Sequence, residues 1–161
     1  MDEAEFPKEL IEDVPEEKEK PEKLFESVYT RIMNMGVHEK IKLATLGNKE
    51  ARNILIKDAN RLVVQAVMNS PKLTGDEVIS YAGNRNLAKE VPMIIASRKE
   101  FMKSYAVQLA LVNNSKTPVP TAINLVSHLR ENDLRSLLKN KNISSMVSMA
   151  ARRTLSSRGK G

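Results

Sequence analysis

The sequence contains no cysteine and no tryptophan. Without thiols there is no disulfide framework, no thiol nucleophile and no cysteine metal site. Histidine is nearly as scarce. His38 and His128 stand about 90 residues apart, each near the end of an expected helix. No His/Glu spacing suggests a metal, and no Gly-rich loop could cradle a phosphate. Phe, Tyr and Trp together make up 4% of the chain, so rings for stacking on nucleic-acid bases are few. No apolar run approaches the roughly 18 residues needed to cross a bilayer. The start, Met1-Asp2-Glu3-Ala4-Glu5, is acidic and lacks the basic, then apolar, form of a secretory signal. The expectation is a soluble, cytoplasmic, non-enzymatic chain with no cofactor, no metal and no membrane partner.

Charge is unevenly spread. Residues 1–24 hold ten acids and four lysines, whereas the remainder carries ten acids and 22 Lys/Arg. From Leu134 onward there are seven basic residues and no acid. Such a chain can attract its own acidic end or an anionic partner. Residues 1–23 read as a disordered acidic tail, because Glu, Lys and Pro dominate and Pro7, Pro15 and Pro21 interrupt any helix. Within it, the spacing of Leu10, Ile11 and Val14 suits one helical turn that docks.

Order should begin near Leu24, and further along the chain repeats. Val63-Val64-Gln65-Ala66-Val67-Met68-Asn69-Ser70-Pro71-Lys72 aligns with Val107-Gln108-Leu109-Ala110-Leu111-Val112-Asn113-Asn114-Ser115-Lys116 at an offset of 44. At 22, Ile41 meets Val63, Ala44 meets Ala66 and Leu46 meets Met68. Fixed self-similarity of this kind marks stacked supersecondary units. No segment alternates apolar and polar residues long enough to argue a strand. Asn48 and Asn60 are placed to cap helices. Thr74-Gly75-Asp76-Glu77 and Ser97-Arg98-Lys99-Glu100 have the capping-box form. Thr117-Pro118 offers a cap and a first-turn proline. The pairs Asp76/Glu77 and Glu131/Asp133 lie in first turns, where the helix dipole favours acids, so they are not read as general acids.

Ile41-Lys42-Leu43-Ala44-Thr45-Leu46-Gly47-Asn48, Ala66-Val67-Met68-Asn69-Ser70-Pro71, Leu109 to Pro118 and Leu137-Leu138-Lys139-Asn140 share one theme. Each is an apolar helix followed by an Asn-rich or capped turn. In this the chain resembles the HEAT-like and leucine-rich-repeat-variant α-solenoids of bacteria over roughly residues 36–157. The resemblance implies an all-α, short solenoid of about eight short stacked helices and a binding role without a fixed ligand. The spacing slips near Pro92 and shortens before Leu137, so the array is irregular. The cysteine cluster that can precede the variant repeats is absent, which removes any iron–sulfur implication. The domain reading is a tail over 1–23, a helical-repeat domain over 24–157 and a frayed basic end over 158–161.

Basic residues supply the one site-like signal. Lys49, Lys72, Lys116 and Lys141 lie in or beside turns after inner-type helices, and stacked repeats align such turns along one edge. Arg52, Arg85, Arg135, Lys139, Arg152 and Arg153 extend this candidate ridge. Helix C-termini also attract cations with no ligand present. Met68, Met93, Met146 and Met149 read as core filling, with a methionine-rich groove as the other reading. The expected partner is a protein with an acidic surface, for which the acidic tail competes in cis. The alternative is nonspecific binding to a nucleic-acid phosphate backbone.

Overall fold

The computed structural model describes residues 5–13 and 22–159, with side chains from residue 27 onward in the second stretch. Among the described residues every regular element is helical, with twelve helices and no strand. That exceeds the expected eight: α1 (Lys8–Ile11) forms inside the expected tail, and a short connection closes into a single turn of its own at α8 (Lys99–Met102). Where the sequence reading takes 24–157 as one domain, the chain divides into two compact units, Met1–Thr74 and Gly75–Gly161.

The first unit contains α1, α2 (Glu22–Met33), α3 (Val37–Leu46), α4 (Lys49–Leu55) and α5 (Arg61–Met68). Helices this short do not persist alone in water and must bury apolar faces on neighbours. Accordingly α3 packs on α5, and α4 touches α1, α2, α3 and α5. Ile32, Leu43, Leu55, Val63 and Val67 form the buried centre. Gly47 ends α3 at a point of close approach. A Cβ there would lie 2.6 Å from the Leu43 carbonyl oxygen and 2.9 Å from the Ala51 Cβ, which only glycine avoids. Asn48 then caps α4, its Oδ1 accepting from the Ala51 N–H at 2.9 Å, and Asn60 caps α5 through the Leu62 N–H. Both caps follow from the sequence. Lys40 pairs with Asp58 at 2.7 Å, with both side chains largely covered.

Residues 5–13 depart from the expected disordered tail. They form the α1 turn with Leu10 fully buried, and α1 packs on α4. One anchored leucine and a set of hydrogen bonds to Asn48 overcome the low apolar content of the segment. Glu22 and Lys23, also read as tail, open α2, while 1–4 and 14–21 lie outside the described residues, as do Lys160 and Gly161.

The second unit contains α6 (Gly75–Gly83), α7 (Glu90–Ser97), α8, α9 (Tyr105–Val112), α10 (Val119–Val126), α11 (Glu131–Leu138) and α12 (Ser145–Gly159). Here α6 packs on α9, α9 on α10, and α12 on both α10 and α11. Equivalent positions of α5 and α9 share their burial. Val63 and Val107, Val67 and Leu111, and Met68 and Val112 are all buried. Ala66 and Ala110 are half-buried, so neither is a fully close-packed position. Two expected caps work differently. Ser97 closes α7, its hydroxyl donating to the Ile94 carbonyl, while Arg98 precedes α8. Thr117 donates to the Leu111 carbonyl at 2.7 Å and so finishes α9, leaving Pro118 to open α10. Arg158 and Gly159, expected to be frayed, belong to α12.

Candidate functional site

Turns after helices in each unit are tied by a recurring polar device. After α5, the Ser70 hydroxyl accepts from the Lys72 N–H, and the Lys72 ammonium donates to the Leu46 carbonyl at 2.9 Å. After α9, Asn114 accepts from the Lys116 N–H and donates to the Ala82 carbonyl at 2.8 Å. The Lys116 ammonium donates to the Leu87 carbonyl at 2.8 Å. After α11, Asn140 accepts from the Asn142 N–H and donates to the Asn113 side-chain oxygen at 3.1 Å. Ser and Asn suit these places because their side chains bond the backbone two residues on.

The bonds have a geometric consequence within the second unit. Lys116 ties the turn after α9 to the turn after α6, and Asn140 ties the turn after α11 to the turn after α9. Three turns thus lie side by side and bring Arg85, Lys116, Lys139 and Lys141 to one edge. Arg85, Lys139 and Lys141 are exposed there. Arg135 is exposed on α11 and paired with Glu131 one helical turn away.

The candidate residues of the first unit gather around the Leu46–Lys49 junction. Lys72 reaches the Leu46 carbonyl and Arg52 reaches the Gly47 carbonyl at 2.7 Å. Arg52 is only 2% exposed, so it serves the junction and faces no solvent. Burial follows from a carbonyl within reach of the guanidinium, which helical spacing does not reveal. Lys49 is exposed, and its backbone N–H donates to the Asp13 carboxylate.

Arg152 and Arg153 lie exposed on α12, which has two apolar faces. Val147 and Ala151 point inward and are buried. Met146 and Met149 lie on the other face and are 58% and 51% exposed. With Ile123, Ala150 and Arg153 they line an open hollow of about 150 Å³. The core reading holds for Met68, which is 1% exposed, and fails for Met93, Met146 and Met149. A signal was present in the sequence: 146, 149/150 and 153 fall at helical spacing on a face distinct from 147 and 151.

Arg158 also escaped the sequence reading. It donates to the Leu129 and Ser127 carbonyls at 2.6 and 2.8 Å and pins α12 to the end of α10. Tyr105 links α9 to the start of α11. Its hydroxyl donates to Asp133 and accepts from the Arg130 N–H, and the Arg130 guanidinium lies 4.4 Å from its ring centre. Burial, and then the hydrogen bond to Asp133, push its ionisation above the ordinary tyrosine range despite Arg130. Tyr81 is buried, which leaves Tyr29 as the most exposed ring among the described residues.

Both histidines are exposed. Among the described residues no group of three His, Asp or Glu side chains could hold a metal ion, and no helix is long and apolar enough to cross a membrane. Comparison with protein-family models, with curated proteins and with solved structures returns no match.

Proposed function

We propose that this chain is a non-enzymatic, cytoplasmic protein-interaction module built as a short, irregular α-solenoid, and that α12 carries its principal contact face. One observation carries the reading. Met146 and Met149 stand open around a hollow on a helix that already has a separate buried face. Clustered exposed apolar side chains rimmed by charge mark contact sites. Methionine suits such a face because its flexible, polarisable side chain adapts to a partner's shape. Arg153 at the hollow, its exposed neighbour in sequence Arg152, and the lack of any acid after Asp133 select a partner with an acidic rim. The basic turn edge of the second unit adds long-range attraction of the same sign. Its lysine at 116 is engaged with a carbonyl, so that edge is the weaker candidate for the contact itself.

Affinity capture from nuclease-treated lysate tests this with three baits. Wild type should retain a defined protein. Met146→Glu with Met149→Glu should lose it. Arg85→Glu with Lys141→Glu should retain it at reduced yield in dilute salt. Equal capture by all three baits would remove α12 as the contact face. Tight binding of generic duplex DNA that falls steeply with salt would instead favour the phosphate-backbone reading.

A further inference from the structure

The docked N-terminal segment is held in the manner of a peptide ligand. Leu10 is its one fully buried side chain. The Asn48 N–H donates to the Leu10 carbonyl at 2.7 Å, and the Asn48 amide donates to the Glu9 and Glu12 carbonyls at 2.9 Å each. All three bonds end on main chain, so any peptide making this turn can receive them. Acid is read at the two ends: the Lys49 N–H donates to Asp13 at 3.1 Å, and Lys42 meets Glu5 at 3.4 Å. Asn48 is oriented by its capping bond to α4, a contact that does not depend on the docked segment. Eight residues, Val14-Pro15-Glu16-Glu17-Lys18-Glu19-Lys20-Pro21, join the segment covalently to α2, so a partner segment must compete with an intramolecular contact.

Resting on the interaction-module reading, we propose that the α3–α4 junction is a second binding site, for an acidic segment with a single leucine anchor. Residues 5–13 occupy it in cis, and a partner segment of the same chemistry displaces them. The segment therefore acts as a built-in competitor at Asn48.

The probe is a fluorescent synthetic peptide with the sequence of residues 5–13, tested by anisotropy against full-length chains. The Leu10→Asp chain, with its own segment disarmed, should bind the peptide. Wild type should bind it about tenfold or more weakly, since its own residues 5–13 already occupy the site intramolecularly. A peptide with aspartate in place of its leucine should not bind, and Asn48→Ser should weaken binding in the Leu10→Asp chain. Absence of binding to a folded Leu10→Asp chain at millimolar peptide would overturn the proposal. So would equal affinity for wild type and Leu10→Asp, which would place the peptide elsewhere. Hydrogen exchange on wild type gives a readout that needs no variant. The Leu10 and Glu12 amides should exchange by local undocking while α4 stays protected. Exchange of those amides only with global unfolding would show a permanent core element and overturn the proposal. Every probe acts on the first unit, so failure here leaves the α12 reading standing. Loss of capture on changing Met146 and Met149, with peptide binding intact, would confirm that the sites are separate.

Discussion

Replacing Asn48 by alanine removes two jobs at once, and the structure allows each to be sized. The first is the α4 cap, one bond from Asn48 Oδ1 to the Ala51 N–H. Losing such a cap costs about 1 kcal/mol, in a range of about 0.5–2. The second is the pair of amide bonds to the Glu9 and Glu12 carbonyls. Each contributes about 0.5–1.5 kcal/mol. Glu9 and Glu12 are exposed, so their carbonyls regain water, and the lower half of that range applies. Asn48→Ala should therefore cost about 1.5–4 kcal/mol in all. Asn48→Ser separates the terms, because serine keeps a capping acceptor but lacks the reach to clamp the segment. It should recover about 1 kcal/mol relative to alanine. Urea unfolding followed by circular dichroism at 222 nm measures both variants, and hydrogen exchange over residues 8–12 reports the clamp alone. If both variants lie within about 0.5 kcal/mol of wild type, below the range of even one cap, Asn48 performs neither job and the reasoning fails.

Gly47→Ala should destabilise the first unit by about 1–3 kcal/mol, because its Cβ meets the Leu43 carbonyl and Ala51. Gly36→Ala, with nothing within 4 Å of the added Cβ, should change stability by less than about 1 kcal/mol, since the gain from a stiffer unfolded chain is offset by alanine's poorer fit as the α3 N-cap, and urea unfolding of the pair checks the contrast. Burial alone would raise the Asp58 carboxyl, but the Lys40 hydrogen bond, the Asn60 N–H and the Lys40 charge outweigh it and hold the group below its ordinary 3.8. A lowered acid contributes stability above its unfolded value and loses it as pH falls through the folded one. The stability gap between wild type and Asp58→Asn, measured by urea unfolding, should thus be full at pH 6 and close below about pH 4. Tyr105→Phe removes bonds to Asp133 and the Arg130 N–H and should cost about 1–3 kcal/mol by thermal or urea unfolding.

The all-helical class and many helix limits were legible because short apolar stretches alternate with Asn, Gly and Pro. Val63, Val67 and Met68 share their burial with Val107, Leu111 and Val112, as the 44-residue offset implies. Asn48 and Asn60 cap where an N-cap residue should. What spacing could not tell was where a polar group finds its partner. Lys72 and Lys116 do lie in turns, yet their ammonium groups bond carbonyls 26 and 29 residues back. Arg52 is buried where its guanidinium meets the Gly47 carbonyl, five residues back. Thr117 looks like a cap for the helix ahead and bonds the helix behind, since its hydroxyl meets the Leu111 carbonyl first.

On α12 the difficulty was of another kind. Periodicity places Met146 and Met149 on an apolar face, but a helix with two such faces buries the one its neighbours reach. Here α10 and α11 cover Val147 and Ala151. Leu10 shows the converse. In a segment rich in charge, a single leucine is enough to dock when main-chain bonds supply the rest.

The most direct measurement of the contact face is photo-crosslinking from position 149 in nuclease-treated lysate, with exposed Lys103 of the same unit as the control position. The account predicts a discrete protein adduct from 149, absent from 103 and lost when Met146→Glu is added. Equal adducts from both positions, or none from 149 while capture by wild type persists, would contradict the assignment of the α12 methionine face as the binding surface.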